Sequence, residues 1–299
     1  MTLRFASVVG SDTSLLNAAI AHYRDLGVES FHIARHVDTL DDPDFRRSVD
    51  VLERQGLSFA AVHQGPWDED LNGYLIRAQM RKYPEDWWVV ADLDEFHVYD
   101  RPLSEIVELC EESRCDYVRG AMLDRVAVDG SLVAVDPARS VWDQFELAGL
   151  VTLRVLQAAT SKVTLIRGSV QLHVGQHWAL SGRPLPATRA FAQVHHFKWT
   201  ESVRTRLTNR VSAYASGDWH LMYPAVTEES RRILEHLRDH GGRIDVGAAD
   251  LVMRRCGHAY TDYEPWQDLV PLLSLRNGLR PEAAPPREDI AKLLDQLAI

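Results

Sequence analysis

The first 125 residues alternate short apolar runs with amphipathic stripes, and this alternation constrains the fold more than any other feature of the chain. Segments with helical periodicity separate the runs and are bounded by glycine, proline or capping residues. Strands joined by such helices run parallel through right-handed crossovers. The sequence therefore predicts an α/β fold with a mostly parallel central sheet flanked by helices, which binds ligands beyond the carboxyl ends of its strands. The expected strands are Phe5–Val9, Ser30–Ala34, Leu57–Val62, Trp87–Ala91 and Asp116–Leu123.

The second half of the chain is less regular. Its periodicity predicts a strand over 191–197, helices over 200–216 and 228–239, and a closing helix over 290–297 behind a linker at 282–288. We therefore place the α/β domain over residues 1–216, in two halves that meet at 125, and a helical C-terminal extension over 217–299.

Charge and cysteine content exclude several classes of protein. The chain has 43 acidic and 33 basic residues, a net charge of −10, which disfavours a nucleic-acid binder. Three cysteines without a CxxC pair argue against a disulfide framework and for a reducing compartment. We expect a cytoplasmic protein, because neither a leader nor a transmembrane segment is evident.

The most informative motif is an acidic pair that directly follows the fourth apolar run, in WWVVADLDEF. Asp92 and Asp94 are two residues apart, so on an extended backbone they point to the same side. They stand where a buried strand ends, at the ligand-binding edge. Two carboxylates there suit Mg²⁺ or Mn²⁺, which keep open positions for phosphate oxygens.

This motif resembles that of glycosyltransferases with the GT-A fold, especially the family-2-like branch close to family 92, in which a strand ends in a D-x-D-E-F type sequence. The resemblance extends over roughly residues 3–215. Further similar landmarks are the run His22–Phe31, Gln64 before the helix at 72–81, Lys162–Arg167, Gly175–His177 and Val194–Lys198.

The resemblance implies an inverting transfer of a sugar from a nucleoside diphosphate, UDP by default, to a hydroxyl or amine of a small molecule or glycan. Residues 1–125 would bind the nucleotide sugar, and 126–216 would complete the acceptor and metal sites. Mn²⁺ or Mg²⁺ would offset the donor's charge, held by Asp92 and Asp94. His196 is the first choice for a third ligand and His177 the second. His195 and His196 alternate in direction if extended, so at most one should face the site.

Inverting transfer needs a general base near the acceptor hydroxyl. Asp124 is the first choice, because it follows the fifth expected strand at the same edge. Asp143 and Glu146 compete with it. Glu95 could be a base, a metal partner or an orienter of the acidic turn, and His177 remains a further catalytic candidate.

Donor-binding candidates come from the ends of the first strands and from nearby cations. Small or polar groups there allow close approach or accept hydrogen bonds, and cations suit phosphate. These candidates are Gly10, Ser11, Asp12, Asp38, Gln64, Arg77, Asp92 and Lys162. Aromatic rings that could stack on a sugar are Trp67, Trp178 and Trp199.

Two other functions stay open. A phosphatase of the haloacid dehalogenase type also carries D-x-D after an apolar strand, and a sugar-binding protein without turnover could share the fold. The spacing His173–His177 matches zinc helices, but Val174 stands where a zincin has Glu, and Gly175 disfavours a helix. The acceptor and the oligomeric state are not readable from the sequence.

Overall fold

The computed structural model describes residues 2–67, 69–219, 223–258 and 260–270, which form a ten-stranded sheet with helices on both faces. The strands are β1 Leu3–Val9, β2 Ser30–Val37, β3 Ala61–Gln64, β4 Trp87–Val90, β5 Glu95–Val98, β6 Tyr117–Val126, β7 Leu147–Gly149, β8 Ser161–Arg167, β9 Ala192–His196 and β10 Arg254–Arg255. The helices are α1 Leu16–Asp25, α2 Pro43–Arg54, α3 Glu69–Met80, α4 Leu103–Ser113, α5 Val141–Gln144, α6 Val203–Ser216 and α7 Ala225–Asp239.

The sheet topology confirms the predicted mostly parallel α/β architecture. Strands β3, β2, β1 and β4 lie side by side and parallel. Strand β8 lies antiparallel between β4 and β6, so β6 runs in the same direction as β4. The five strands expected from the sequence therefore share one direction, and their carboxyl ends meet at one edge.

Two strands extend further than their apolar runs. Strand β2 continues through Arg35 and His36, and β6 continues through Asp124 and Arg125, all four of which are buried. Strand β3, by contrast, begins at Ala61, four residues later than predicted. Leu57 donates its N–H to the Leu52 carbonyl and so belongs to the C-terminal cap of α2.

Each face of the sheet has its own apolar core. Helices α1, α2 and α4 pack on one face around residues such as Phe5, Ile20 and Ile106. Helix α3 packs on the other face, with Leu75 against Trp88. Because both faces are covered, the central strands are apolar on both sides.

The described part of residues 217–299 packs on the same sheet. Strand β10 pairs with β7, and Trp266 joins a core with Ala121 and Phe191. The Arg125 guanidinium donates to the carbonyls of Phe145, Cys256 and Gly257, which fixes this segment to β6. The linker predicted at 282–288 and the helix predicted at 290–297 lie outside the described residues. Within the described helices none is long and apolar enough to cross a membrane.

Buried histidines give this core a pH dependence. His22 Nε2 donates to the His97 carbonyl at 2.9 Å, and burial lowers the pKa of His22 to about 4 and the pKa of His97 below its usual value. Unfolded histidines bind protons near pH 6.5, so between pH 6.5 and 4 the unfolded chain holds more protons than the folded one. We expect the free energy of unfolding to fall on acidification through this window, by up to about 1.4 kcal/mol per pH unit for each histidine.

Urea unfolding at pH 7 and pH 5 measures this effect. The variant His22→Gln should show a shallower pH slope than the wild type. A free energy of unfolding that is the same at both pH values would contradict the expectation.

Candidate functional site

The acidic motif forms a turn between β4 and β5 at the carboxyl edge of the sheet. The Glu95 N–H donates to the Asp92 carbonyl at 3.0 Å, which closes the turn. The Tyr23 hydroxyl donates to the Glu95 carbonyl and the Phe197 N–H to the Asp94 carbonyl, both at 2.6 Å. Because this backbone is a turn and not an extended strand, Asp92 and Asp94 contact different partners.

The Asp92 carboxylate is held by other side chains of the protein. Lys162 Nζ lies 3.2 Å from one oxygen, and Gln176 Nε2 donates to the other at 3.1 Å. Asn72 is a further hydrogen-bonding neighbour. Burial alone would raise the pKa of Asp92, but Lys162 outweighs it, so the pKa lies below its usual value. This arrangement favours an anchoring role for Asp92.

Lys162 is the buried counterion of the acidic turn. Its side chain is 2% exposed, and its ammonium also contacts Glu95 Oε1 at 2.7 Å and the Gly175 carbonyl at 3.1 Å. Burial would lower the pKa of Lys162, but the two carboxylates outweigh it and raise the pKa. With its three donors directed at protein oxygens, Lys162 does not reach a phosphate, so the structure does not support the predicted phosphate contact.

Glu95 is enclosed behind the turn. It is 1% exposed, and its Oε2 accepts the Asp92 N–H at 3.2 Å. Burial raises the pKa of Glu95 to about 7. Of the roles left open for Glu95, orienting the acidic turn fits this geometry, whereas a base that meets the acceptor does not.

Asp94 faces His196, at the end of β9. Asp94 Oδ2 lies 3.7 Å from His196 Nε2, and Asp94 remains 24% exposed. His196 Nδ1 lies 3.2 Å from Asp124 Oδ1. Neighbouring His195 instead packs edge-on against Trp142, which agrees with the predicted alternation of the two side chains.

Asp124 lies within β6 and not after it. It is 1% exposed, and its carboxylate accepts hydrogen bonds from the Thr152 N–H, the Thr152 hydroxyl and the Trp199 indole, in addition to the His196 contact. Donors of the protein itself thus occupy the Asp124 carboxylate, which leaves no oxygen directed at an acceptor hydroxyl. The structure therefore does not support Asp124 as the general base and assigns it the orientation of His196.

The Asp94–His196 pair has the chemistry of a cation site. In the tautomer that donates Nδ1–H to Asp124, His196 presents Nε2 as an acceptor towards the Asp94 carboxylate. A carboxylate that orients a metal-ligating histidine through its other nitrogen is common in metal sites. In the described ranges no cluster of three or more His, Cys, Asp or Glu side chains could hold a metal ion. The phosphates of a ligand and water would have to complete the coordination, as Mg²⁺ usually requires.

A cationic cluster that the sequence reasoning missed lies beside Asp94. Lys198, two residues after His196, interacts electrostatically with Asp94, Arg206 and Arg210. Burial, Arg210 and Arg206 lower the pKa of Lys198 against the opposing effect of Asp94. The signal was present in the sequence, because Arg206 and Arg210 are four residues apart on one helix face. This cluster of Lys198, Arg206 and Arg210 suits an anion.

The residues predicted at the ends of the first strands lie at the same edge as the acidic turn. Exposed positions there are Gly10, Ser11, Asp38 and Gln64. Asp12 accepts hydrogen bonds from Ser202 and from the Ser14 N–H, and it lies 3.7 Å from Arg206. Asp12 therefore links the end of β1 to the start of α6 and to the cationic cluster.

Other predicted residues have structural partners. Arg77 donates to the Leu172 carbonyl at 3.1 Å, which ties α3 to the 171–178 loop. His177 Nδ1 bonds the Ser161 carbonyl at 2.8 Å, and burial lowers its pKa to about 4. Neither contact involves Asp94. Trp199 is fully buried as an Asp124 donor.

The remaining aromatic and acidic candidates lie in different places. Trp67 packs against His36, and Trp178 packs against His173. Glu146 is paired with Arg255, whereas Asp143 is exposed. Asp143 directly follows Trp142, whose ring contacts Phe96 beside the acidic turn.

Comparison with known proteins gives no family assignment. No family model and no curated protein sequence matches this chain. Among solved structures, it is similar to S. aureus TarS residues 1–349 at 13% identity and a TM-score of 0.32, over 93% of this chain and 88% of that one.

In two further similar structures, the match covers a smaller share of the known protein. A second structure of S. aureus TarS matches at 10% identity and a TM-score of 0.33, over 83% of this chain but 45% of that one. A Bacillus anthracis protein, named as a glucose-1-phosphate thymidylyltransferase and crystallised with sucrose, matches at 12% identity and a TM-score of 0.28, over 47% of this chain and 63% of that one. The chain thus spans less than two thirds of either protein, and values this low assign no activity.

Proposed function

We propose that this chain is a metal-dependent, inverting glycosyltransferase that moves a sugar from a nucleoside diphosphate to a hydroxyl or amine of a small molecule or glycan. UDP is the default donor nucleotide, because the sequence resembles glycosyltransferases of the GT-A fold. The observation that carries the proposal is the pair of acceptors Asp94 and His196 at the carboxyl edge of the sheet, beside the cationic cluster.

Asp94 and His196 would hold Mn²⁺ or Mg²⁺. When bound, the ion supplies Lewis-acid stabilisation of charge on the leaving nucleoside diphosphate. Asp124 keeps the His196 ring in the required orientation, and the Thr152 and Trp199 donors keep Asp124 in place. Asp92, Lys162 and Glu95 position the turn that carries Asp94 and need not touch the ion.

The cationic cluster supports an anionic donor. The chain carries a net charge of −10, so a diphosphate needs a local excess of positive charge. Lys198 interacts electrostatically with Asp94, and Arg206 and Arg210 add two further cations around Lys198. Asp12 partly offsets them and anchors Arg206 against the end of β1. We infer that Lys198 and Arg206 bind the diphosphate, because charge-assisted hydrogen bonds to phosphate are strong.

Asp143 is the candidate for the general base. Of the four carboxylates considered for this role, Asp124 and Glu95 are enclosed and Glu146 is paired with Arg255. Asp143 is exposed and next to Trp142, which packs between Phe96 and Phe197. A carboxylate free to meet an acceptor hydroxyl fits the role.

Donor binding and turnover test the proposal. Calorimetry with nucleoside diphosphates should detect binding that requires Mn²⁺ or Mg²⁺, and nucleotide sugars should be slowly hydrolysed in the absence of acceptor. Asp143→Asn should bind the donor as well as the wild type and lose transfer, whereas the matched variant Glu146→Gln should keep transfer.

Two results would contradict the proposed activity, and a third would contradict only the role of Asp143. Phosphate release from simple esters would favour a phosphatase of the haloacid dehalogenase type. Sugar binding without metal and without turnover would favour a sugar-binding protein that has no catalytic activity. Full transfer activity of Asp143→Asn would exclude Asp143 as the base while leaving the transferase intact.

A further inference from the structure

Arg35 carries a buried guanidinium that no described residue satisfies. Its residue is 0% exposed, and none of its three guanidinium nitrogens has a hydrogen-bond partner in the part of the chain that is described. The nearby acid, Asp42, directs its carboxylate at the Asp44 N–H, where it caps α2. Burying an unpaired charge is costly. A fold that retains such a group calls for an acceptor supplied from elsewhere.

The position of Arg35 indicates where this acceptor comes from. Arg35 is the third residue from the end of β2, in register with Val9, the last residue of β1, and with Val62 of β3. It thus lies near the carboxyl edge, where the acidic turn also lies. Ser7 lies on β1, on the same face as Val9, and its buried hydroxyl oxygen also has no hydrogen-bond partner among the described residues. Two unsatisfied polar groups therefore occur together beneath this edge.

The spacing of the strands relates Arg35 to the proposed diphosphate site. Strand β1 lies between β2 and β4, so Arg35 is two strand spacings, about 10 Å, from the strand that leads to Asp94. This separation is comparable to the length of a nucleoside. A nucleotide with its diphosphate at Asp94 and its nucleoside across β1 would bring its base towards Arg35. This step rests on the proposed function.

We propose that Arg35 selects the nucleobase of the donor by donating to an exocyclic carbonyl oxygen, at C4 of uracil or thymine or at C6 of guanine. A guanidinium has only donors. Cytosine and adenine carry an amino group at the corresponding position, which would leave the buried charge unpaired, and sites of this kind reject such ligands. Gly10 leaves open space above the end of β1. Because Arg35 is fully buried, the proposal requires the groups that cover it to move aside when the base binds.

Matched nucleotide pairs test this selection. Calorimetry of the full chain in Mn²⁺ compares UDP with CDP and GDP with ADP. We expect the wild type to bind the carbonyl member of at least one pair about 10- to 100-fold more tightly. In Arg35→Met this ratio should fall to near one through loss of affinity for the carbonyl nucleotide. Arg35→Gln offers both a donor and an acceptor, so it should also bring the ratio of the two affinities closer to one. This variant replaces Arg35→Met in the test if the Met variant fails to fold.

Stability gives an independent readout. Removing an unpaired buried charge should raise the urea midpoint of Arg35→Met above that of the wild type. The control Arg125→Met removes a buried guanidinium that donates to three carbonyls, and its midpoint should fall.

The two possible failures are distinguishable. If UDP and CDP, and likewise GDP and ADP, bind the wild type equally, or if Arg35→Met keeps the wild-type ratio, the assignment of Arg35 is overturned while the transferase proposal stands. If no nucleoside diphosphate binds in Mn²⁺, both are overturned.

Discussion

Asp94→Asn is expected to weaken the metal-dependent binding of the nucleoside diphosphate by at least about 100-fold, because a side chain that binds the ion directly matters at least as much as the groups that orient it. The amide is neutral and binds a divalent cation more weakly than the carboxylate does. Calorimetry with and without Mn²⁺ measures the effect. His196→Ala should give a loss of similar size, since the two side chains face each other at 3.7 Å.

The matched control for this prediction is Asp41→Asn. Asp41 has a carboxylate that is 92% exposed and is paired only loosely, at 3.7 Å, with Arg46. This variant should bind the nucleotide as the wild type does. Thermal unfolding confirms that each variant is folded. Unchanged affinity of folded Asp94→Asn in Mn²⁺ would remove Asp94 from the metal site and with it the main support for the proposed activity.

Lys162→Met is expected to lower the free energy of unfolding by about 3–5 kcal/mol, because it leaves Glu95 and Asp92 without their counterion in the interior. The turn that carries Asp94 would also lose its anchor, so metal-dependent nucleotide binding should weaken together with stability. Urea unfolding at pH 7 measures the first effect and calorimetry the second.

Two comparisons isolate the counterion effect. Lys82→Met removes an exposed ammonium that donates to Gln79, and it should change stability little. Adding Glu95→Gln to Lys162→Met should recover part of the loss, since one of the stranded charges disappears. A loss below about 1 kcal/mol for Lys162→Met would mean that the cluster is not held by this ion pair.

Local patterns were sufficient for the architecture and for the position of the acidic turn. The apolar runs predicted five parallel strands, and four of them needed only small changes of boundary. The strand at 57–62 was placed too early because Leu57 and Phe59 are apolar as helix-packing residues. Arg35 and Asp124 were read as lying outside strands, because buried polar residues break the pattern on which the prediction depends.

The roles of the individual acids were less predictable. Asp92 and Asp94 look equivalent in the sequence, yet one is anchored by Lys162 and the other faces His196. The extended-strand argument for a shared direction failed because hydrogen bonds close a turn at this point. Asp124 was correctly placed near the site, but its enclosure could not be inferred from neighbouring residues.

The sequence alone determined the shared direction of the first strands and the edge at which an acidic pair would lie, because hydrophobic periodicity and capping residues act over a few positions. The tertiary structure decided which partners each acid contacts. These partners are distant in the chain: Lys162 is 70 residues from Asp92, Gln176 is 84 residues from Asp92, and Trp199 is 75 residues from Asp124. Burial and charge at each carboxylate therefore depend on contacts that form only when the sheet is assembled.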